Sequence, residues 1–283
     1  MRMQRLGSVL VVLILGCGHA PAPPAPTPTP TPTPTPGNEL PASLVTHMQQ
    51  HGWGQMHLQW HTERRWDRLP PSAVAYAQRQ GWQRAHHQEG EAGNGVEFLA
   101  MHRAMLEMLV EHDVGARTYL AGWTAPPTDP GDPNDPLPGH ATTAFDRDML
   151  AALDRLQHHL DSFASEDELG LYIETSFRPT AADPKARAAD RTAGVHNYLH
   201  ARFQDPSSPT DLGNPALNLQ NPRFWRLHGW IDQLWAAYRE RTGRRPTDPG
   251  YQALMQAARA SMTMRMKALP EPPPAELIEA VRP

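Results

Sequence analysis

VHNYLH at 195–200 and NPRFWRLHGWIDQLW at 221–235 predict the fold of this chain. His196 and His200 stand four residues apart, so on a helix their imidazoles lie on one face, about one turn from each other. Both rings of such a pair can bind one metal ion. Asn221 is followed by proline, a combination typical of a turn that leads into a helix.

The segment after Asn221 predicts a helix that buries one histidine among apolar side chains. The buried stripe recurs at helical positions i, i+4, i+7 and i+11 and consists of Phe224, His228, Ile231 and Trp235. A lone histidine on an apolar face is most often a core residue whose hydrogen bonds are satisfied. His228 by itself therefore does not establish a metal site.

A matching segment earlier in the chain favours metal binding. FLAMHRAMLEML at 98–109 repeats the same four helical positions, here occupied by Phe98, His102, Met105 and Leu109. Two histidine-bearing helices with matched faces, each with further histidines nearby, predict two metal ions held in the core of a helical bundle. The expected fold is mainly α, with a four-helix-bundle core, a dinuclear metal site and long irregular loops.

Composition indicates which metals, macromolecular partners and covalent links the sequence favours or excludes. The 15 histidines concentrate in 47–102 and 196–228, and imidazole-rich cores favour copper, zinc or iron. The formal net charge is -4, and no basic stripe is interleaved with aromatic residues, so no nucleic-acid partner is expected. Cys17 is the only cysteine, which excludes an internal disulfide.

Three motifs resemble the signatures of tyrosinases, which belong to the type 3 copper family. FLAMHR resembles their FLPWHR, HNYLH resembles HNxxH, and NPRFWRLHGWIDQLW resembles DPxFxxHHxxxDRLW. The resemblance covers roughly residues 45–240, and its part at 195–235 is the more specific because separate elements agree there in order and spacing. It implies two copper ions, each bound by three histidines, that use O2 to oxidise phenols and o-diphenols to o-quinones.

The resemblance also implies which histidines bind the two copper ions. The first copper would be bound by His57, His87 and His102, and the second by His196, His200 and His228. His57 is selected because it lies between apolar neighbours, as the first ligand does in tyrosinases, whereas His61 precedes a polar run. Phe98 and Phe224 would wall the site.

Alternatives remain for the second ligand of the first copper. Tyrosinases usually place it nine residues before the FLPWHR histidine, and this position is Gly93 here. His86 and His87 are the nearest candidates, in a glycine-rich loop, and His87 is the one selected. An arthropod-hemocyanin-like arrangement would instead take His57 and His61 from one helix.

Asn197 matches an asparagine that in many tyrosinases is thought to help take a proton from a phenol. A hydrogen bond on the helix surface is its alternative role. The glutamate that assists it in tyrosinases lies shortly before HNxxH, but residues 184–195 contain no glutamate. Asp190 and the more distant Glu174 are the candidate substitutes. Oxidation of o-diphenols is therefore expected to exceed hydroxylation of monophenols.

The N-terminal part predicts an exported lipoprotein. Residues 1–16 combine arginines with a short apolar run, which is typical of a signal peptide, and lead into a lipobox-like Cys17; a plain secretory signal is the alternative. Residues 17–39 predict a Pro/Thr-rich linker of polyproline II type. Residues 40–270 predict one copper-binding domain, with a Pro-rich tail at 271–283. The protein would be anchored to a membrane at the cell envelope.

Two other classes of function compete with an enzyme of the tyrosinase or catechol oxidase kind. One is an oxygen- or copper-binding lipoprotein with little catalysis. The other is a zinc hydrolase, which is disfavoured because HNYLH lacks the carboxylate that serves as general base in HExxH. The expected partners are phenolic small molecules, O2, the membrane through Cys17, and a copper-loading helper protein.

Overall fold

The computed structural model describes residues 39–129, 132, 144–178, 188–266 and 271–282. The expected signal peptide, Cys17 and nearly all of the linker lie outside these residues. The described chain is mainly helical, as predicted, and its α-helices are α1 (Ala42–Gln50), α2 (Trp53–Arg64), α3 (Pro71–Arg79), α4 (Asn94–His112), α5 (Arg117–Leu120), α6 (Arg147–His158), α7 (Glu166–Glu174), α8 (Val195–Arg202), α9 (Pro222–Arg241), α10 (Pro249–Arg265) and α11 (Ala275–Ala280). Two short strands, β1 (Phe177–Arg178) and β2 (Ala188–Ala189), pair antiparallel. None of the helices in the described ranges has both the length and the apolar character needed to cross a membrane.

The helix α4 lies at the centre of the fold and packs against α7, α9 and α10. Its backbone approaches that of α7 most closely at Gly95 and Gly170. A Cβ atom at Gly95 would lie 2.1 Å from the carbonyl oxygen of Asp167, and one at Gly170 would lie 2.1 Å from the carbonyl oxygen of Gly95. Since no side chain fits at either position, this glycine pair permits the close packing of α7 on the start of α4.

The two stripes that were expected to face the core are buried. The eight side chains on α4 and α9 are at most 2% exposed, namely Phe98, His102, Met105, Leu109, Phe224, His228, Ile231 and Trp235. The helix α9 begins as predicted, because the Asn221 side chain accepts a hydrogen bond of 3.0 Å from the N–H of Arg223. The two helices pack together, and the imidazoles of His102 and His228 stack with ring centroids 4.1 Å apart.

The C-terminal segment is packed more closely than a Pro-rich tail at 271–283 suggests. It contains α11, which packs against α3. Leu277, Ile278 and Val281 lie on one side of this helix and are buried in a second, smaller core. The guanidinium of Arg65 also donates to the carbonyl oxygen of Val281 at 2.6 Å. The described part of this segment is therefore an integral part of the helical fold.

Candidate metal centre

Four helices bring six histidines to one buried place. They are His57 and His61 on α2, His102 on α4, His196 and His200 on α8, and His228 on α9. Each of these side chains is at most 5% exposed. The pairs on α2 and α8 share a helical face because their members stand four residues apart.

The ligand nitrogens form two groups that share His102. One group is His57, His61 and His102, the other is His102, His196 and His228, and within each group the ligand atoms lie within 4.8 Å of one another. His200 adjoins the second group, with its ring centroid 4.5 Å from that of His196 and 5.5 Å from that of His228. Spacings of this size allow several imidazoles to bind one metal ion, so the histidine groups could hold metal ions.

Hydrogen bonds determine which nitrogen faces the centre of the cluster. The Nδ1 atoms of five histidines each lie 2.7–3.0 Å from an oxygen, pairing His57 with the carbonyl of Pro215, His102 with Phe98, His200 with Leu212, His228 with Phe224, and His196 with the Asn197 side chain. A carbonyl oxygen only accepts, so each of these Nδ1 atoms donates its proton. The Nε2 atom of each neutral ring then carries a lone pair, which is the form that binds a metal.

Four of these five lone pairs have no proton to accept, whereas the Nε2 atom of His57 lies 3.2 Å from the Nε2 atom of His61. The Nε2 atoms of His196 and His228 are 3.2 Å apart, and because both rings are protonated at Nδ1, two lone pairs face each other. Within the described residues, the Nε2 atoms of His102 and His200 are buried without a hydrogen-bond partner. An unsatisfied buried polar atom costs roughly 1–3 kcal/mol. A bound cation would satisfy these nitrogens and remove the repulsion.

Burial keeps the cluster uncharged. It lowers the pKa of His57 to about 3 and that of His200 to about 4, in both cases against a hydrogen bond to a backbone carbonyl that raises it. Burial and the neighbouring imidazoles lower the pKa values of the other four well below the ordinary value. All six rings are therefore neutral near pH 7, as metal ligands must be.

The structure places His61, and not His87, beside His57 and His102. The Nδ1 atom of His87 lies 2.8 Å from the carboxylate of Glu97, and its side chain is 32% exposed. His86, the other candidate in this loop, is exposed. His61 shares the buried face of α2 with His57, whereas the loop before α4 turns His87 toward an acid. The arrangement thus corresponds to the alternative in which one helix supplies two ligands.

Asn197 links His196 to a buried carboxylate. Its Oδ1 atom accepts from His196 at 2.9 Å, and its Nδ2 atom donates to Glu89 at 2.9 Å. Arg65 donates to the same carboxylate at 3.1 Å, and Arg68 pairs with it as well. Burial alone would raise the pKa of Glu89, but the two guanidinium groups outweigh it and lower the pKa to about 2. An ionised carboxylate therefore holds the amide that orients His196.

Glu89 is a candidate functional residue that the sequence did not indicate. Asp190 lies on the surface, where its carboxylate accepts from the backbone N–H and the hydroxyl of Thr192. Glu174 is buried and accepts from the side chain of Asn94, and burial together with the Glu89 charge raises its pKa well above the ordinary range. No motif or spacing in the sequence connects Glu89 to the HNYLH helix.

Two phenylalanines wall the cluster, as expected. The Phe98 ring lies 4.5 Å from His102 and 4.9 Å from His196, measured between centroids. The Phe224 ring stacks on His228 at 3.9 Å and meets His57 edge-on at 5.2 Å. Both phenylalanines are fully buried, so they exclude water from the imidazoles.

Comparison with known proteins does not assign the chain to a family. The chain matches no protein-family model, and no curated protein matches it. The capacity to bind metal ions therefore rests on the geometry of the chain's own histidines, in two groups that share His102.

Proposed function

We propose that this protein is a type 3 copper oxidoreductase that uses O2 to oxidise o-diphenols to o-quinones. The observation that carries the proposal is the cluster of six buried, neutral imidazoles, which includes two groups of three that share His102. A shell of neutral nitrogen ligands suits copper in both of its common oxidation states. Two o-diphenols and one O2 would give two o-quinones and two waters.

The proposed ligand sets differ from those of the sequence in one member. His57, His61 and His102 would bind one copper ion, and His196, His200 and His228 the other. His102 lies within ligand distance of both groups, so two ions bound there would lie close together. When bound there, copper would supply oxygen activation and electron transfer, while the chain's residues fix the ligands and exclude water.

The surroundings of Asn197 support a preference for o-diphenols over monophenols. Hydroxylating a monophenol requires a base that takes its proton. The carboxylate next to Asn197 is Glu89, whose pKa of about 2 under two guanidinium groups makes it a weak base. Asn197 would therefore serve mainly to orient His196, and monophenol hydroxylation would be slow.

A second candidate function is reversible oxygen or copper binding with little catalysis. The burial of all six imidazoles favours it, because a substrate has to come close to the metal ions to be oxidised. A zinc hydrolase is supported less well, since both groups found among the described residues consist of histidine alone, without a carboxylate to act as general base.

Copper analysis combined with a paired assay tests the proposal. The purified chain, loaded with copper and assayed with a catechol and its matching monophenol, should hold two copper ions and oxidise the catechol faster. One metal ion per chain, or zinc retained in preference to copper, would refute the dinuclear copper centre. Two copper ions without turnover of either substrate would favour the binding protein.

We also propose that the protein is located at the cell envelope. An exported lipoprotein, anchored through Cys17 and held off the membrane by the linker, would meet phenols and O2 outside the cytoplasm. Cys17→Ser should move the protein from the membrane fraction to the soluble fraction without loss of activity. Retention of this variant in the membrane fraction would argue against lipidation.

A further inference from the structure

A second histidine cluster lies at the surface, apart from the buried one. It comprises His47 on α1, His51 directly after α1 and His112 at the end of α4. The ring of His47 lies 4.3 Å from that of His51 and stacks on that of His112 at 3.5 Å, measured between centroids. His51 and His112 are exposed, and His47 is half-buried. A ligand in solution can therefore reach all three imidazoles.

The nitrogens of this cluster are free to bind. The Nδ1 atom of His51 donates to the carbonyl oxygen of His47 at 2.9 Å, which leaves Nε2 of His51 with its lone pair. No described residue forms a hydrogen bond with the ring nitrogens of His47 or His112. The acids next to His112 are engaged elsewhere, because Glu111 pairs with Arg259 and Asp113 accepts from the backbone of Gly115.

The electrostatic surroundings of the cluster favour a bound cation. Partial burial, followed by the proximity of His112 and His51, lowers the pKa of His47. In addition, the cluster lies at the C-terminal ends of α1 and α4, where the unpaired carbonyls of a helix carry a partial negative charge. The partial negative charge at two such ends attracts a positive ion.

We propose that His47, His51 and His112 form a surface site for one divalent transition-metal ion of the copper and zinc class. Imidazole nitrogens select such ions over magnesium or calcium, which prefer oxygen ligands. The nitrogens are spread more widely than in the buried groups, so binding requires rotation of the exposed His51 and His112 side chains. This rotation is open to them because their rings lie at the surface.

The site adjoins the helix that carries the buried ligands. The ring of His47 lies 6.1 Å from that of Trp53, a buried residue at the start of α2. His57 follows Trp53 by four residues, about 6 Å along the helix. The surface site does not depend on the proposed oxidase activity, because it consists of a different set of imidazoles.

Counting bound zinc in matched variants tests the site. Equilibrium dialysis of the full chain against Zn²⁺ should give one ion fewer per chain for His47→Ala/His51→Ala than for the wild type. In His112→Ala, which loses one of three ligands, the Kd of this ion should rise by about tenfold or more. The matched control is His158→Ala/His159→Ala, which removes two adjacent, exposed histidines at the end of α6.

The number of zinc ions bound per chain either supports or overturns the proposed surface site. The control should bind as many ions as the wild type, and all variants should keep the same thermal unfolding midpoint in the absence of metal. An unchanged count in His47→Ala/His51→Ala, or an equal loss in the control, would overturn the site. Since the comparison is a difference between variants, it does not depend on how many ions the buried histidines hold.

Discussion

The two halves of the buried histidine cluster are built in different ways. On the α8 and α9 side, His196 and His200 share one helix and meet His228 on the next α-helix along the chain. On the α2 and α4 side, His57 and His61 meet His102 across two helices separated by a third helix and a loop. Helical periodicity therefore predicts the histidine pair of each half, whereas chain packing brings in the third histidine, over a longer stretch of chain on the α2 and α4 side.

Removing the residue common to both groups should have the largest effect. His102→Ala should remove the copper ion of the α2 and α4 half, weaken binding of the other ion and abolish catechol oxidation, because the His102 nitrogen lies within ligand distance of both groups. Copper per chain and the rate of quinone formation are the measurements. Retention of both copper ions in this variant would show that His102 is not a ligand.

The next prediction tests the α2 and α4 half of the cluster. His61→Ala should remove one copper ion and most of the activity, whereas His87→Ala should retain both, since His87 contacts Glu97 instead of the cluster. His86→Ala is the matched control in the same exposed loop. If His87→Ala lost the copper ion and His61→Ala kept it, the ligand set expected from the tyrosinase resemblance would be correct.

Acid should destabilise the metal-free protein through both halves. The folded pKa values of His57 and His200 are about 3 and about 4, below the unfolded value of about 6.5. Between these values the unfolded chain binds more protons, so the free energy of unfolding falls as the pH drops through this window. Each such histidine contributes up to about 1.4 kcal/mol per pH unit.

Denaturant unfolding of the metal-free chain at several pH values checks this. The midpoint concentration should decline from pH 7 toward pH 5, and His158→Ala, which removes an exposed imidazole, should leave the slope unchanged. A midpoint that is constant over this range would mean that the buried rings are not neutral in the folded state.

The smallest effect is expected at the link between Glu89 and His196. Asn197→Ala removes the amide that holds the His196 ring, and the loss of such an orienting partner typically costs 10–100-fold in metal affinity. Copper bound by the α8 and α9 half should weaken, while the α2 and α4 half keeps its ion. Competition with a copper chelator separates the two. Equal weakening in both halves would indicate a general structural role for Asn197.

Local patterns predicted a large share of the fold and the site. The stripes on α4 and α9, the start of α9 at Asn221, and the pairing of His196 with His200 all follow from the 3.6-residue period and from capping chemistry. Each depends on residues within a few turns of one another. Such features hold wherever the segment forms a helix with one buried face.

Sequence patterns alone therefore predicted a helical fold with imidazoles on buried faces, and the resemblance added the expectation of copper. Tertiary packing brings His61, and not His87, into the cluster and packs α11 into the domain. It also decided the partner of Asn197, because Glu89 stands 108 residues away along the chain. Helical periodicity acts over a few residues, whereas these contacts depend on where a loop and a distant helix lie in the folded chain.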